Sequence, residues 1–151
     1  MSKIVIRACH PNDIEEILQL DRHWEQENIA HNFIFISREE FIACLERFPE
    51  YFLIAESGGH IVGYINGSVQ TGKKVAVIPE QESYLEIDNI YVKPEFRNKG
   101  IGGKLMKRLL ETAAQNGIQR FFVSSDSKEM DKVLNFYRGY GFKLWYIQMF
   151  K

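Results

Sequence analysis

Residues 85–106 read LEIDNIYVKPEFRNKGIGGKLM, and this stretch determines how the rest of the chain is interpreted. It predicts a strand that ends before Pro94, then a glycine-rich turn, then an amphipathic helix. Three of the four positions 100–103 are glycine, and each glycine costs about 0.5–1 kcal/mol relative to alanine once ordered in a helix. A helix N-terminus carries unpaired backbone N–H groups and a partial positive charge, so bare backbone there is typical of a phosphate site.

The segments around this stretch alternate between strand and helix patterns. Ser37 and Glu40 form a capping-box pattern, and Gly58 and Gly59 separate two β-rich runs as a hairpin turn would. The predicted strands are 3–9, 51–57, 60–70, 84–92, 119–125 and 142–151, and the predicted helices are 11–24, 37–48, 104–115 and 128–141. The order β-α-α-β-β-β-α-β-α-β predicts a mixed sheet in one α/β domain (α+β in a stricter definition) over residues 1–151. The glycine turn implies a central parallel pair of strands with a right-handed crossover.

Composition excludes several classes of function. The 151 residues carry a formal net charge of −1, so we expect no binding to nucleic acid or to an acidic membrane surface. The longest apolar runs are far shorter than a bilayer span. The two cysteines lack a metal-binding spacing and the four histidines form no i, i+4 pair, so we expect no metal site. With no signal-peptide pattern, we expect a cytoplasmic protein with reduced thiols.

Two common phosphate-binding patterns fail at the glycine turn. A Walker A loop requires serine or threonine where Leu105 stands, and a dinucleotide fingerprint requires its third glycine there. What remains is R-x-x-G-x-G, with Arg97, Gly100 and Gly102 in register. Together with the preceding strand, the order of the other elements and YRGYGF at 137–142, it closely resembles the GNAT superfamily of acetyl-CoA-dependent N-acetyltransferases.

The resemblance implies an acetyl-CoA site. Backbone N–H groups of residues 98–103 would hold the pyrophosphate, and Arg97 or Lys104 would add positive charge. Ile90 and Val92 would bind the pantetheine amides through their main chain, as an added β-strand does. The implied coenzyme-binding residues are Ile90, Tyr91, Val92, Arg97, Asn98, Lys99, Gly100, Ile101, Gly102, Gly103, Lys104, Ser125 and Asn135.

One position departs from the family pattern. Many relatives have an asparagine that contacts the pantetheine arm seven residues before the tyrosine that matches Tyr137, and this chain has Met130 there. By the resemblance, that contact is absent or comes from Ser124, Ser125 or Asn135.

The resemblance also implies catalytic roles. An alkyl amine is about 0.04% neutral at pH 7, so a base is useful. Glu86 stands where the family often carries its catalytic carboxylate, Asp88 is the second candidate, and many relatives use a water chain instead. A bulge near 89–91 would free a backbone N–H for the thioester oxygen. Tyr137 matches the family's general acid, and Tyr140 is a poorly matched substitute.

The resemblance also implies that the acceptor is a small-molecule or peptide amine, recognised by segments 21–37 and 73–83. One interpretation of the first segment is an aromatic, mildly acidic pocket; the other is a loop that packs its aromatic rings and exposes its charges. The residues of that pocket would be His23, Trp24, Glu25, Glu27, Phe33 and Phe35.

Two further expectations concern assembly and alternative functions. Many relatives end in two strands and this chain supplies one, so an open sheet edge, or Trp145, Tyr146 and Phe150, would favour a homodimer. The alternative function is a non-catalytic acyl-CoA-binding or regulatory module, and a weaker alternative is an enzyme dependent on another nucleotide.

Overall fold

The computed structural model describes residues 2–71 and 74–151 as a mixed sheet flanked by helices. The strands are β1 (Ile4–Ala8), β2 (Phe52–Ser57), β3 (His60–Gln70), β4 (Tyr84–Val92) and β5 (Phe121–Val123). The helices are α1 (Ile14–Glu27), α2 (Arg38–Arg47), α3 (Ile101–Gln115) and α4 (Met130–Arg138). The predicted α/β class with a mixed sheet is confirmed. Lys73, the first residue of the expected acceptor segment 73–83, lies outside the described residues.

The sheet has the strand order β1-β2-β3-β4-β5. Neighbours from β1 to β4 pair antiparallel, and β4 pairs with β5 in parallel across the α3 connection. The predicted hairpin joins β2 to β3, with φ of 58° at Gly58 and 81° at Gly59. Glycine reaches such left-handed angles without a Cβ clash, which is why this turn needs it.

Two apolar clusters cover the two faces of the sheet. The amphipathic helix predicted after the glycine turn is α3, and its apolar side is buried on one face of the sheet: Ile101, Leu105, Met106, Leu109 and Ala113. The other face is covered by α1 and α2, whose buried residues include Ile14, Ile17, Leu20, Phe41 and Leu45.

The capping box at the start of α2 forms as predicted, because Ser37 and Glu40 each accept the other's backbone N–H. Within the described residues no helix is long and apolar enough to cross a bilayer.

The strands β4 and β5 pair over three positions only. The pairs are Leu85 with Phe121, Glu86 with Phe122 and Ile87 with Val123. On its other side, β4 stays paired with β3 as far as Val92. The last five residues of β4 (88–92) therefore have one edge that faces a cleft instead of a neighbouring strand.

The final strand predicted at 142–151 is not formed. The chain turns at Gly141, where φ is 87°, and residues 142–151 join no ladder of the described sheet. β5 is three residues long, so its outer edge offers a short ladder. The segment is held by ring contacts instead, such as that of Trp145 with Phe122 at 6.2 Å. Phe142 is half-buried against the core, and the following large apolar side chains are exposed: Leu144, Trp145, Tyr146, Ile147, Met149 and Phe150.

Candidate active site

The separated ends of β4 and β5 border a cleft of about 1260 Å³. Pockets for single small molecules typically measure roughly 300–1,000 Å³, so this cleft has room for two ligands at once. Its other walls come from α1, the segment after α1, α2, the end of β3, the glycine turn and α4. The predicted site residues that line it are Glu86, Asp88, Ile90, Tyr91, Val92, Arg97, Asn98, Gly100, Ile101, Gly102, Gly103, Ser125 and Tyr137.

The glycine turn presents bare backbone to this cleft. Asn98 and Gly100 adopt left-handed φ angles of 59° and 77°. Gly100 is the N-cap of α3, and no side chain of the described residues caps the first N–H groups of that helix. A Cβ on Gly103 would contact the hydroxyl of Tyr140 too closely, so a larger residue there would require the Tyr140 side chain to move. The turn therefore keeps its amides accessible to an anion.

The guanidinium of Arg97 is bound within the protein. Its Nη1 and Nη2 donate to the two carboxylate oxygens of Glu27 at 2.7 and 2.8 Å, and its Nε donates to the Val92 carbonyl at 2.8 Å. The hydroxyl of Tyr91 donates to the same Glu27 carboxylate at 2.6 Å. Arginine's planar fork matches a carboxylate, so Arg97 connects α1 to the turn. The pairing with Glu27 offsets part of its charge, and the expected contribution of Arg97 to the phosphate site stays a prediction.

The open edge of β4 carries hydrogen-bonding groups. The N–H of Lys93 donates to the Val62 carbonyl on β3 at 2.9 Å. Because polar groups alternate in direction along a strand, those of Ile90 and Val92 point away from β3. The Val92 carbonyl already accepts a hydrogen bond from Arg97. The N–H of Val92 and the N–H and C=O of Ile90 therefore face the cleft, where a ligand can bind them.

A bulge interrupts β4 beside the predicted carboxylates. The register of β3 with β4 shifts between Asn66 and Gly67, where β4 holds one extra residue, Asp88. The bulge expected near 89–91 therefore lies one residue earlier. Gly67 permits this position, since a Cβ there would lie only 2.9 Å from the carbonyl oxygen of Glu86.

Both carboxylates predicted as bases line the cleft. Glu86 is half-buried and Asp88 is exposed, and the Ser68 hydroxyl donates to Asp88 at 3.3 Å. Cys44 also lines the cleft, and its pKa is raised by burial first and then by the charges of Asp88 and Glu40. It is therefore a neutral thiol at pH 7 and a poor nucleophile.

Tyr137 lines the cleft from α4. Its ring packs edge-on against Phe136 and Phe142 at 5.3 and 5.5 Å. Its hydroxyl bonds to no other described residue, and no fully buried polar side-chain atom among those residues lacks a partner, so the hydroxyl opens onto the cleft. Burial raises the pKa of Tyr137 to about 12, so the group carries its proton at neutral pH.

Comparisons with known proteins decide the family. Residues 12–142 match the Acetyltransferase (GNAT) family. The chain belongs to the GNAT acetyltransferase family. Over 137 residues it is 31% identical to the thialysine N-epsilon-acetyltransferase of Sus scrofa, which covers 80% of this chain and 74% of that protein.

Two solved structures share the GNAT fold of this chain. Ard1 from Thermoplasma volcanium has a TM-score of 0.75 and 21% identity, and the match covers 95% of this chain and 84% of that one. An aminoglycoside N-acetyltransferase in complex with CoA has a TM-score of 0.71 and 18% identity, and the match covers 100% of this chain and 95% of that one.

Family membership establishes the class of reaction. The chain is an N-acetyltransferase, and GNAT acetyltransferases use acetyl-CoA. The non-catalytic module considered above is not favoured. No group of three or more histidine, cysteine, aspartate or glutamate side chains in residues 2–71 and 74–151 could hold a metal ion.

Three residues of the implied coenzyme set do not line the cleft. The Nζ of Lys99 donates to a backbone carbonyl of the preceding turn at 3.0 Å. Lys104 and Asn135 are exposed on α3 and α4, and their side chains lie outside the cleft lining. Ser124 and Ser125 do line it, which leaves these two serines as the candidates for the contact that the family asparagine makes.

The segment after α1 forms the acceptor-side wall only in part as expected. Trp24 and Phe33 line the cleft with ring centroids 5.6 Å apart, and Trp24 stacks on Tyr91 at 5.0 Å. Residues 74–83 do not line it. Nor do the other members of the expected pocket: His23, Glu25, Glu27 and Phe35. For Glu27 the reason is its bond to the arginine of the turn.

Two polar pairs in the cleft were not predicted. The Tyr64 hydroxyl donates to buried Asp21 at 2.5 Å, and the Asn89 amide donates to Asn66 at 3.0 Å. A signal for Asp21 exists, because it follows Ile17 by four residues and so places a charge on the apolar stripe of α1. The asparagine pair depends on the register of β3 with β4, which the sequence does not specify.

The contact between Glu27 and Arg97 yields a prediction. Glu27→Gln weakens the bidentate pair, so the turn is less well fixed. We expect the Kd for acetyl-CoA to rise about three- to tenfold, with a fall in Tm of a few degrees. The Kd for acetyl-pantetheine, which lacks the diphosphate, should change less than about twofold. Isothermal titration with both ligands measures the difference.

The matched control is Asp13→Asn. It disrupts a second bidentate pair, in which Arg7 donates to Asp13 at 2.7 and 2.9 Å away from the cleft. This variant should lower Tm similarly and leave both Kd values unchanged. If Glu27→Gln leaves the Kd for acetyl-CoA unchanged, the Glu27 carboxylate has no role in fixing the turn.

Proposed function

We propose that the protein transfers the acetyl group of acetyl-CoA directly to a primary amine while both substrates are bound. The observation that carries this proposal is one cleft that holds three elements together: uncapped helix amides, an open strand edge, and side chains suited to proton transfer. No covalent enzyme intermediate is required, and the raised pKa of Cys44 gives no support for one.

In this proposal the coenzyme is bound mainly by backbone. N–H groups of residues 98–103 donate hydrogen bonds to the diphosphate, because they lie at the N-terminus of α3 with Asn98 and Gly100 in left-handed conformations. The pantetheine arm extends β4 as an added strand, bonding to Ile90 and to the N–H of Val92. Ser124 and Ser125 lie across the cleft from that edge.

The acceptor amine must lose a proton before it attacks. With a pKa near 10.4, its neutral form costs roughly 4–5 kcal/mol at pH 7. Glu86, or Asp88, takes that proton directly or through a water chain. The bulge at Asp88 supplies a backbone N–H that donates to the thioester oxygen as this oxygen gains charge. Loss of one such donor typically lowers kcat by about 10²–10³-fold.

The leaving thiolate is stabilised by Tyr137. A phenol whose pKa is about 12 would protonate a thiolate of pKa near 8.5 only at a cost of about 5 kcal/mol. A hydrogen bond from the hydroxyl to the thiolate is therefore favoured over full proton donation in the rate-limiting step.

The acceptor is a cationic small-molecule or peptide amine. The relatives named above include enzymes for thialysine and for aminoglycosides, which are amines. Among the described residues, six acidic and three basic side chains line the cleft, so it attracts a cation. The acidic residues are Asp21, Glu40, Glu86, Asp88, Asp126 and Glu129, and the basic residues are Arg47, Arg97 and Lys132.

Turnover should respond to the loss of one hydroxyl. We expect Tyr137→Phe to lower kcat about 10- to 100-fold on any amine that is acetylated, with little change in the Kd for acetyl-CoA. Release of free thiol across a panel of amines measures this. Tyr51→Phe is the control, because the Tyr51 hydroxyl accepts from Asn116 outside the cleft. An unchanged rate in Tyr137→Phe removes the proposed acid, and tight binding of acetyl-CoA without turnover of any amine removes the enzyme proposal.

The pH dependence of kcat/KM in carboxylate variants should identify the base. Glu86→Gln is expected to lower kcat/KM about 10- to 100-fold at pH 7, and the deficit should shrink above pH 9 because the amine then loses its proton to solvent. The same profile in Asp88→Asn instead would assign the base to Asp88. If the ratio of kcat/KM between variant and wild type does not change with pH in either variant, a water chain is the base.

We also propose a homodimer that uses the outer edge of β5 and the segment 142–151. The support is that β5 has no outer neighbour in the described sheet and that this segment exposes six large apolar side chains. Equilibrium sedimentation at tens of micromolar should give twice the chain mass, and a chain ending at residue 142 should sediment as a monomer. A full-length monomer at that concentration would contradict the proposal.

A further inference from the structure

Asp21 is a charged residue in an apolar position. It lies on α1 among buried Ile17 and Leu20, and only 4% of its surface is exposed. Burial raises its pKa to about 6, against the opposing effect of the hydrogen bond from Tyr64. It is therefore mostly ionised at pH 7. Among the described residues no basic side chain pairs with it, so its charge costs stability without an internal compensation.

One oxygen of this carboxylate is available to a ligand. Oδ1 accepts from the Tyr64 hydroxyl. Oδ2 has no hydrogen bond to a described residue, and no fully buried polar side-chain atom in that set lacks a partner. Oδ2 must therefore be in contact with accessible space, and Asp21 lines the active-site cleft.

The surroundings of Asp21 suit a cation. Trp24, one helical turn along α1, lines the same cleft and stacks on Tyr91, and Phe33 packs edge-on against Trp24. Aromatic faces and a desolvated carboxylate together bind ammonium or guanidinium groups. Arg97, which also lines the cleft, is already bound to Glu27.

The sheet register gives the distance between Asp21 and the bulge of β4. Its partner Tyr64 lies opposite Tyr91, and the bulge lies two to three residues further along β3. At a strand rise of about 3.3 Å per residue, this separation is about 7–10 Å. Asp88 is at the bulge, Glu86 lies just beyond it opposite Ser68, and Asp21 is at the other end of the row.

We propose that Asp21 determines acceptor specificity by binding a second cationic group of the acceptor, about 7–10 Å from the amine that is acetylated. The substrate class is then a diamine or a larger polycationic amine. This inference rests on the proposed acetyltransferase site and adds the identity of the acceptor. Asp21 contacts the acceptor away from the reacting atoms. Its substitution should therefore change the KM for the acceptor and leave kcat nearly unchanged.

The test compares two acceptors of equal length, 1,5-diaminopentane and 1-aminopentane, with acetyl-CoA saturating. The wild type should have a KM at least tenfold lower for the diamine. Asp21→Asn keeps an acceptor for the Tyr64 hydroxyl and removes the charge, so it should abolish that preference. Its kcat and its KM for acetyl-CoA should stay within about twofold, and its Tm should rise because a buried charge is removed.

Tyr64→Phe is the matched control, because it removes the hydrogen bond and keeps the carboxylate; it should retain the preference for the diamine. If the wild type has equal KM values for the two acceptors, the inference is wrong, and this comparison needs no variant. A preference that persists in Asp21→Asn, or a Tm that falls with both KM values unchanged, would show that Asp21 is structural. If acetyl-CoA itself does not bind, the failure lies in the proposed function and not in the role of Asp21.

Discussion

Parallel pairing between β4 and β5 ends after Ile87, and the site depends on that early end. A strand edge left unpaired carries N–H and C=O groups that need partners, and an extended ligand with its own amides can supply them. Because α3 begins close to the end of the same strand, its uncapped amides lie beside that edge. Two backbone features that would be defects in a closed sheet thus form one continuous surface for a long anionic ligand.

In the proposed complex, different groups of the protein bind the anionic coenzyme and the cationic acceptor. Arg97, the arginine of the turn motif, is bound to Glu27 and to the Val92 carbonyl, so its charge is partly neutralised within the protein. The anion is left to backbone N–H groups, which need no side-chain charge. Carboxylates dominate the rest of the cleft lining among the described residues. An acceptor that carries positive charge is therefore not repelled by the groups that hold the coenzyme.

Local patterns in the sequence predicted most of the fold. The span of β4, the buried stripe of α3 and the capping box of α2 were all correct, because each depends on residues close together in the chain. The last strand was wrong, since a strand needs a neighbour and β5 is too short to be one. The partners of Arg97 and of Asp21 lie 70 and 43 residues away. Only tertiary packing brings such pairs together, so the positions of the cleft residues could be predicted and their side-chain contacts could not.

The most direct test of this account is a crystal structure of the protein with acetyl-CoA. We expect diphosphate oxygens within about 3.2 Å of backbone nitrogens in residues 98–103, the pantetheine arm along Ile90 and Val92, and Arg97 still bound to Glu27. A diphosphate held by the Arg97 guanidinium after release from Glu27, or a coenzyme bound elsewhere with the turn unoccupied, would contradict it.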